Sequence, residues 1–332
     1  MIISESANII NSLGIESKTK YSIEIINEDD FKELEVFLKN NKLPILFLGE
    51  GTNIIPPNFF NGVVIRSFCK NINFRKDINI LTVDSGVNWH ELVKFCISNN
   101  INGFENLSLI PGSVGAAPIQ NIGAYGADVS YLIKSIEGFD LDAKKLVSIS
   151  NKDCNFSYRN SSLKNSSILI YSINFICDHP EYINYNYASI KEHIASNHLD
   201  IDALSSSIIS KIICNIRSKV LPNHELIHNA GSFFKNPIVN SKKINCLKEN
   251  FNNIPFYKID ENSYKIPAAW LIETSGFKGK DFGNFGVHKT QPLVLVNYGK
   301  ASGSDINKLS LSIKEVVNKL FKIELETEVN II

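Results

Sequence analysis

Apolar residues recur at helical spacing in FKELEVFLKNNKLP (31–44), and Pro44 ends the helix that this pattern predicts. The next stretch, ILFLGEGTNII, sets a glycine turn between two short apolar runs and reads as a βα or ββ unit. INILTVDSGVNWHELVKFCISNN reads as strand, turn and a helix from about Trp89; SINFIC predicts a strand, KIPAAWLIETSGFKG a helix, and PLVLVNYG a buried strand before a turn. SDINKLSLSIKEVVNKLFKI predicts a long amphipathic helix with Ser304 as N-cap and with Ile306, Leu309, Ile313, Val316, Val317 and Leu320 on one face. ELETEVNII alternates as a final strand, with Leu325, Val329 and Ile331 on one side and Glu326, Glu328 and Asn330 on the other. Strands and helices mix without strict alternation and without an internal repeat, so the expected fold class is α+β.

A chain of 332 residues exceeds one ordinary core and implies two or three domains. Its 34 basic and 34 acidic residues cancel, which argues against a general nucleic-acid binder that works by neutralising phosphates. No apolar run reaches membrane-spanning length, and MIISESANII lacks the basic and apolar regions of a signal peptide, so neither a membrane partner nor export is expected. The six cysteines, Cys69, Cys96, Cys154, Cys177, Cys214 and Cys246, form no CxxC pair and sit in or beside apolar runs. They read as buried thiols of a cytoplasmic protein. The histidines are scattered too, and no metal site is expected. The abundant Asn and Ile alternate in a periodic pattern, which is a compositional bias over a normal fold and not a low-complexity tract.

Two glycine-rich tracts stand out. GEGTN, with Gly49, Gly51, Thr52 and Asn53, follows an apolar run and reads either as a phosphate cradle or as a plain tight turn. It is neither the dinucleotide fingerprint nor the lysine-bearing P-loop. LIPGSVGAAPIQNIGAYGAD (109–128) contains Pro111, Gly112, Ser113, Gly115, Gly123, Ala124 and Gly126, interrupted by Gln120, Asn121 and Tyr125. Such a surface suits a flat ligand lying on backbone, and equally close helix packing.

The wording of these tracts is more specific. LIPGSVGAAPIQNIGAYG resembles the FAD-binding segment of the UDP-N-acetylenolpyruvoylglucosamine reductase (UDP-N-acetylmuramate dehydrogenase) family. NSLGI, LGEGTN, NWHELV, CNFSYRNS, NAGSFFKNP, AAWLIE, VHKTQPLVLVN and LETEV resemble further family segments, in the family's order and across nearly the whole chain. YINYNYASI (182–190) is placed to be the tyrosine loop that marks the family's first type. The resemblance implies noncovalent FAD in a three-domain fold of the vanillyl-alcohol oxidase type, with a C-terminal substrate-binding domain. The expected divisions are 1–69 with 320–332, then 70–219, then 220–319, the last strand returning to the first domain. It implies NADPH as co-substrate, a nucleotide-sugar substrate and a monomer.

It also implies roles for single residues. Arg159 in SYRNS would stabilise the enolic intermediate, Ser232 in NAGSFF would donate the proton, and Glu328 in LETEV would assist protonation. A planar arginine fork suits a carboxylate, and enol-ether reduction needs both a cation there and an acid beside the carbon to be protonated. On the residues alone, Arg159 and Glu328 also read as solvated charges and Ser232 as a helix N-cap. Tyr158, Tyr187, Asn236 and Gln291 would meet substrate, with Tyr182 and Tyr185 competing for the role of Tyr187. The family pattern Arg-x-x-Lys-Leu-Pro is here RSKVLP (217–222), so Val220 holds the place of a phosphate-binding lysine; Lys219, one residue early, is the candidate to meet the substrate phosphates in its stead, the alternative being that the contact is lost. A different flavin oxidoreductase of this fold would share the tracts without needing Arg159, Ser232 and Glu328 together, and a non-catalytic flavin or nucleotide-sugar binder is a third reading.

Overall fold

Asn88 begins the helix Trp89–Ser98 by accepting from the N–H groups of His90 and Glu91, the cap that NWHELV encodes. Its inner face, Trp89, Leu92, Val93 and Cys96, is buried among Leu81, Val83, Phe104, Ile136, Ile173 and Phe175. All of these but Phe104, which precedes the turn Glu105–Leu107, belong to a five-stranded antiparallel sheet, in the order Lys145–Ser150, Ile133–Asp140, Ile168–Ile176, Ile80–Asp84, Ile72–Arg75. A second sheet orders Ile2–Glu5, Lys18–Ile25, Phe59–Ser67 and Ile45–Phe47, and the helix Asp30–Asn40 buries Phe31 and Leu34 against it. The computed structural model describes residues 1–177 and 183–332; Tyr182 lies outside them.

The chain divides into two compact units. The first holds both sheets above, in residues 1–7, 19–50 and 61–219. The second takes residues 8–18, 51–60 and 220–332. In it, His228–Ser232, Val294–Asn297 and Phe285–Val287 form one small sheet, and Ile238–Asn240, Ser263–Lys265 and Tyr257–Lys258 another. Their shared core includes Phe233, Phe234, Leu271, Leu295, Ile313 and Phe321. The C-terminal strand Asn330–Ile331 pairs in parallel with Ile54–Ile55, which falls in the 1–69 segment; both lie in the second unit. The α+β class holds, with mixed sheets and helices throughout.

Local expectations fared unevenly. The long helix is Gly303–Phe321, and its cap is Ser302, not Ser304: Ser302 and Asp305 satisfy each other's backbone N–H in a capping box. Ile306, Leu309, Ile313 and Val317 are buried as expected, whereas Leu320 is 52% exposed, one position past the edge of the stripe. The final strand is shorter than its alternation predicted. Leu325 and Val329 are buried, but Ile331 is 46% exposed. Among the described residues no helix is long and apolar enough to cross a membrane.

Candidate active site

In the first unit the two glycine tracts meet. Gly49 brings its backbone against the Ser113 side chain: a Cβ there would stand 2.5 Å from Oγ. Glu50 joins the tracts, its carboxylate accepting from Asn88 Nδ2 at 2.8 Å and from the Gly112 N–H at 3.1 Å. Arg66, which the sequence did not single out, donates through Nε to the Gly49 carbonyl at 3.2 Å. Burial lowers its guanidinium pKa, against the pull of Glu24 and Glu50. The Ser85 hydroxyl lies below the second tract, buried and without a hydrogen-bond partner among the described residues. A cation, the Ser113 hydroxyl and an unsatisfied Ser85 hydroxyl beside glycine backbone fit the diphosphate of a dinucleotide. Pro111 is exposed at the mouth of this turn and Gly112 is buried.

The rest of the second tract is organised around Arg159. That residue sits at the tip of a tight turn closed by hydrogen bonds between Ser157 and Asn160, with φ +54°, a backbone region costly for a side-chain-bearing residue. Its fork donates to the carbonyls of Gly123 and, at 3.5 Å, of Asn121, and its guanidinium stands 5.5 Å from the Tyr158 ring centre. Asn121 reciprocates with a 3.2 Å bond from Nδ2 to the Ser157 carbonyl, while its Oδ1 accepts from the Ser130 N–H. The Asn121 side chain is thus committed within the protein, and so is its backbone, through the Arg159 fork at the carbonyl and the Pro118 carbonyl at the N–H. A Cβ on Gly123 would fall 2.8 Å from Arg159 Nη1, so this glycine makes room for the arginine. Gln120 and Ala124 are half-buried nearby. Tyr125 is half-buried, and burial pushes its phenol pKa up while Arg217 donates to it. Its ring meets that of Tyr187 edge-on at 5.3 Å.

Lys219 and Val220 are the last residues of the helix Ser206–Val220 and are both exposed. Successive helical positions point about 100° apart, so Lys219 does not inherit the direction of Val220.

In the second unit, Gly51 holds φ +68°, and a Cβ on it would overlap the Ile10 carbonyl oxygen. Any side chain there meets fixed backbone in a backbone region already unfavourable. We therefore expect Gly51→Ala to cost about 3 kcal/mol or more of stability. A thermal midpoint equal to that of the parent would contradict this. Thr52 lies in the same turn, and the Asn53 carbonyl accepts from Asn330 at 3.1 Å while its Nδ2 donates to the Glu328 carbonyl at 3.2 Å.

Ser232 is not a helix cap. It ends the strand His228–Ser232 after a bulge against Val294–Asn297, and Gly231 crosses that bulge at φ +71°. The buried Asn229 fixes the bulge, accepting from the Gly231 N–H at 2.9 Å and donating to the Ile227 carbonyl at 2.7 Å. Bulges re-aim side chains next to active sites, and Asn229 is a positioning residue the sequence reading passed over. Residues 233–235 then run antiparallel to 326–328: the Glu328 N–H donates to the Phe233 carbonyl at 2.9 Å, Phe234 bridges Thr327, and the Lys235 N–H donates to the Glu326 carbonyl. Glu328 is thereby held beside the residue that follows Ser232. The other glutamate of the motif, Glu326, is exposed and paired with Lys235, whereas Glu328 is half-buried. Asn236 Oδ1 accepts from the Ala268 N–H at 2.8 Å, which fixes Nδ2 as the donor end of its amide. Gln291 lies in a turn where its N–H donates to His288 Nδ1 at 3.3 Å. Among the described residues no group of side chains is placed to hold a metal.

Comparison with known proteins gives the same reading. Residues 221–332 match the family model for the C-terminal domain of UDP-N-acetylenolpyruvoylglucosamine reductase, and residues 20–141 match an FAD-binding domain. Reductases of that name from Flavobacterium johnsoniae and Amoebophilus asiaticus are 38% and 40% identical, each alignment covering 97% of this chain and 96% of the relative. A solved reductase from Thermus caldophilus shares the fold, with TM-score 0.67 at 18% identity over 98% of both chains. The chain belongs to the UDP-N-acetylenolpyruvoylglucosamine reductase family.

Proposed function

We propose that this chain is an FAD-dependent oxidoreductase that uses NADPH to reduce UDP-N-acetylglucosamine enolpyruvate to UDP-N-acetylmuramate, a peptidoglycan precursor. The observation that carries the reading is the pairing of residues 233–235 with 326–328, which sets Glu328 beside the Ser232 segment. When bound, FAD supplies the hydride, taken from NADPH and delivered to the terminal carbon of the enolpyruvyl double bond. The residues deal with what that addition creates. Negative charge moves onto the substrate carboxylate as an enolate, and Arg159 stabilises it there. Ser232 donates its hydroxyl proton to the α carbon, completing the lactyl ether, and Glu328 assists the delivery. A serine is a weak acid, but an enolate carbon is a strong enough base to take its proton.

The residues that would hold FAD are Gly49, Gly51, Thr52, Asn53, Pro111, Gly112, Ser113, Gly115, Gln120, Asn121, Gly123, Ala124 and Tyr125. Tyr158, Tyr187, Asn236 and Gln291 contact the nucleotide sugar. The three-domain division belongs to this proposal, with the two sheets of the first unit as the two FAD-binding subdomains. So do a monomeric state and a cytoplasmic location. All six cysteines are free, and burial pushes the Cys154 and Cys177 thiols up to about 11, which suits unreactive thiols in a reducing compartment.

Purified protein should show a flavin spectrum, bleach with NADPH, and reoxidise without oxygen when UDP-N-acetylglucosamine enolpyruvate is added. Absence of that reoxidation would overturn the proposal. The missing lysine gives a separate expectation. Val220→Lys should lower the KM for the nucleotide sugar about fivefold with kcat unchanged, because it adds a cation that binds ground and transition states alike. An unchanged KM would show that Lys219 already supplies the contact.

A further inference from the structure

Asn106 lies in a short turn, Glu105–Leu107, just before the second glycine tract. It is 1% exposed. Its side-chain amide donates one hydrogen to the Tyr125 carbonyl at 2.8 Å and the other to the Asn184 carbonyl at 2.9 Å. The orientation is unambiguous, since the flipped amide would press its oxygen against two carbonyl oxygens. Its Oδ1 has no hydrogen-bond partner among the described residues, so the side chain is placed by its two donors alone.

The two carbonyls belong to the two segments expected to meet ligand. Tyr125 and Gly126 are the central pair of a hairpin turn between Gly123–Ala124 and Ala127–Asp128, at φ +50° and +79°. Two positive φ angles mark a type I′ turn, and tyrosine is a poor occupant of its first position. Such strain persists only where surrounding bonds hold it. Asn184 belongs to the tyrosine loop, and its Nδ2 returns a 3.2 Å bond to the Gly126 carbonyl. The edge-on contact of Tyr125 with Tyr187 adds a third tie.

We propose that Asn106 is a positioning residue that clasps the tyrosine loop, residues 183–187, onto the Tyr125–Gly126 turn, and so fixes the site at which Tyr187 receives the nucleotide sugar. The proposal rests on the reading of Tyr187 as a substrate contact. A freely moving loop would have to be ordered by substrate at each binding event; the clasp does this in advance, and lower KM is the return. Asn106→Leu leaves two carbonyls without donors and releases the loop.

The test is a double-mutant cycle on the FAD-loaded enzyme, read as the KM for UDP-N-acetylglucosamine enolpyruvate. Asn106→Leu is expected to raise KM about tenfold, and Asn184→Ala, which removes two exposed bonds, one to the Gly126 carbonyl and one from the Asn186 N–H, about threefold. Neither should raise it further in a Tyr187→Ala background. If Asn106→Leu does not fold, Asn184→Ala completes the same cycle. Equal increases with and without Tyr187 would show that both residues act elsewhere and would overturn the proposal. So would a Tyr187→Ala enzyme with raised KM beside an unresponsive Asn106→Leu. An unchanged KM in Tyr187→Ala itself would instead remove the substrate-contact reading, and the proposal with it.

Discussion

A Ser232→Ala enzyme is expected to take electrons from NADPH at close to the parent rate and to pass them to the enolpyruvyl substrate about 10²–10⁴-fold more slowly. The asymmetry follows from where the hydroxyl stands in the chemistry. Flavin reduction needs no proton from Ser232, whereas the enolate formed by hydride addition returns to starting material unless it is protonated. The structure makes the experiment clean. Ser232 is at a strand end, beyond a bulge whose geometry is set by Asn229 and Gly231 and not by the serine hydroxyl. Removing Oγ therefore leaves the bulge intact. Stopped-flow absorbance would follow the two halves separately under anaerobic conditions. Equal slowing of both would mean that the hydroxyl shapes the protein and does not deliver a proton.

The bulge also shows why part of the site was illegible in the sequence. NAGSFF points to Ser232 through resemblance, but by its own letters it reads first as a helix cap after a glycine turn. The strand pairing that decides the matter comes from Val294–Asn297, more than sixty residues away. Glu326 and Glu328 posed the same difficulty. Alternation sets them on one face, and the difference in burial, Glu326 exposed and Glu328 half-buried, is what distinguishes them. Regular elements with local causes are legible: the helix from Trp89, most of the buried stripe of the long helix, the short apolar strands. The misplaced cap at Ser304 had a local cause too, since Ser302 and Asp305 form the reciprocal pair that the Ser304 reading overlooked. By composition the glycine tract reads as a ligand floor or as close helix packing. At Gly123 the structure shows a use that neither reading names, because Arg159, from a turn, fills the space a side chain would need.

That contact leads to the second large effect. Arg159→Lys is expected to slow the reoxidation of reduced flavin by substrate about 10²–10³-fold, although charge is conserved. Lysine is a point charge on a flexible stem, while the arginine fork is planar and pre-set to meet a carboxylate with two parallel bonds. Here the fork is also what docks the side chain, through the carbonyls of Asn121 and Gly123. Lysine would have to give up one of those anchors. Gly123→Ala separates placement from charge. Its Cβ would press on Arg159 Nη1 and on the Ala127 carbonyl, displacing the guanidinium without removing it. If placement governs the rate, Gly123→Ala slows the same half-reaction by about tenfold or more, and Arg159→Lys adds little on top of it. Full activity in Gly123→Ala beside a slow Arg159→Lys would show that the fork itself matters and that its anchoring on the tract does not.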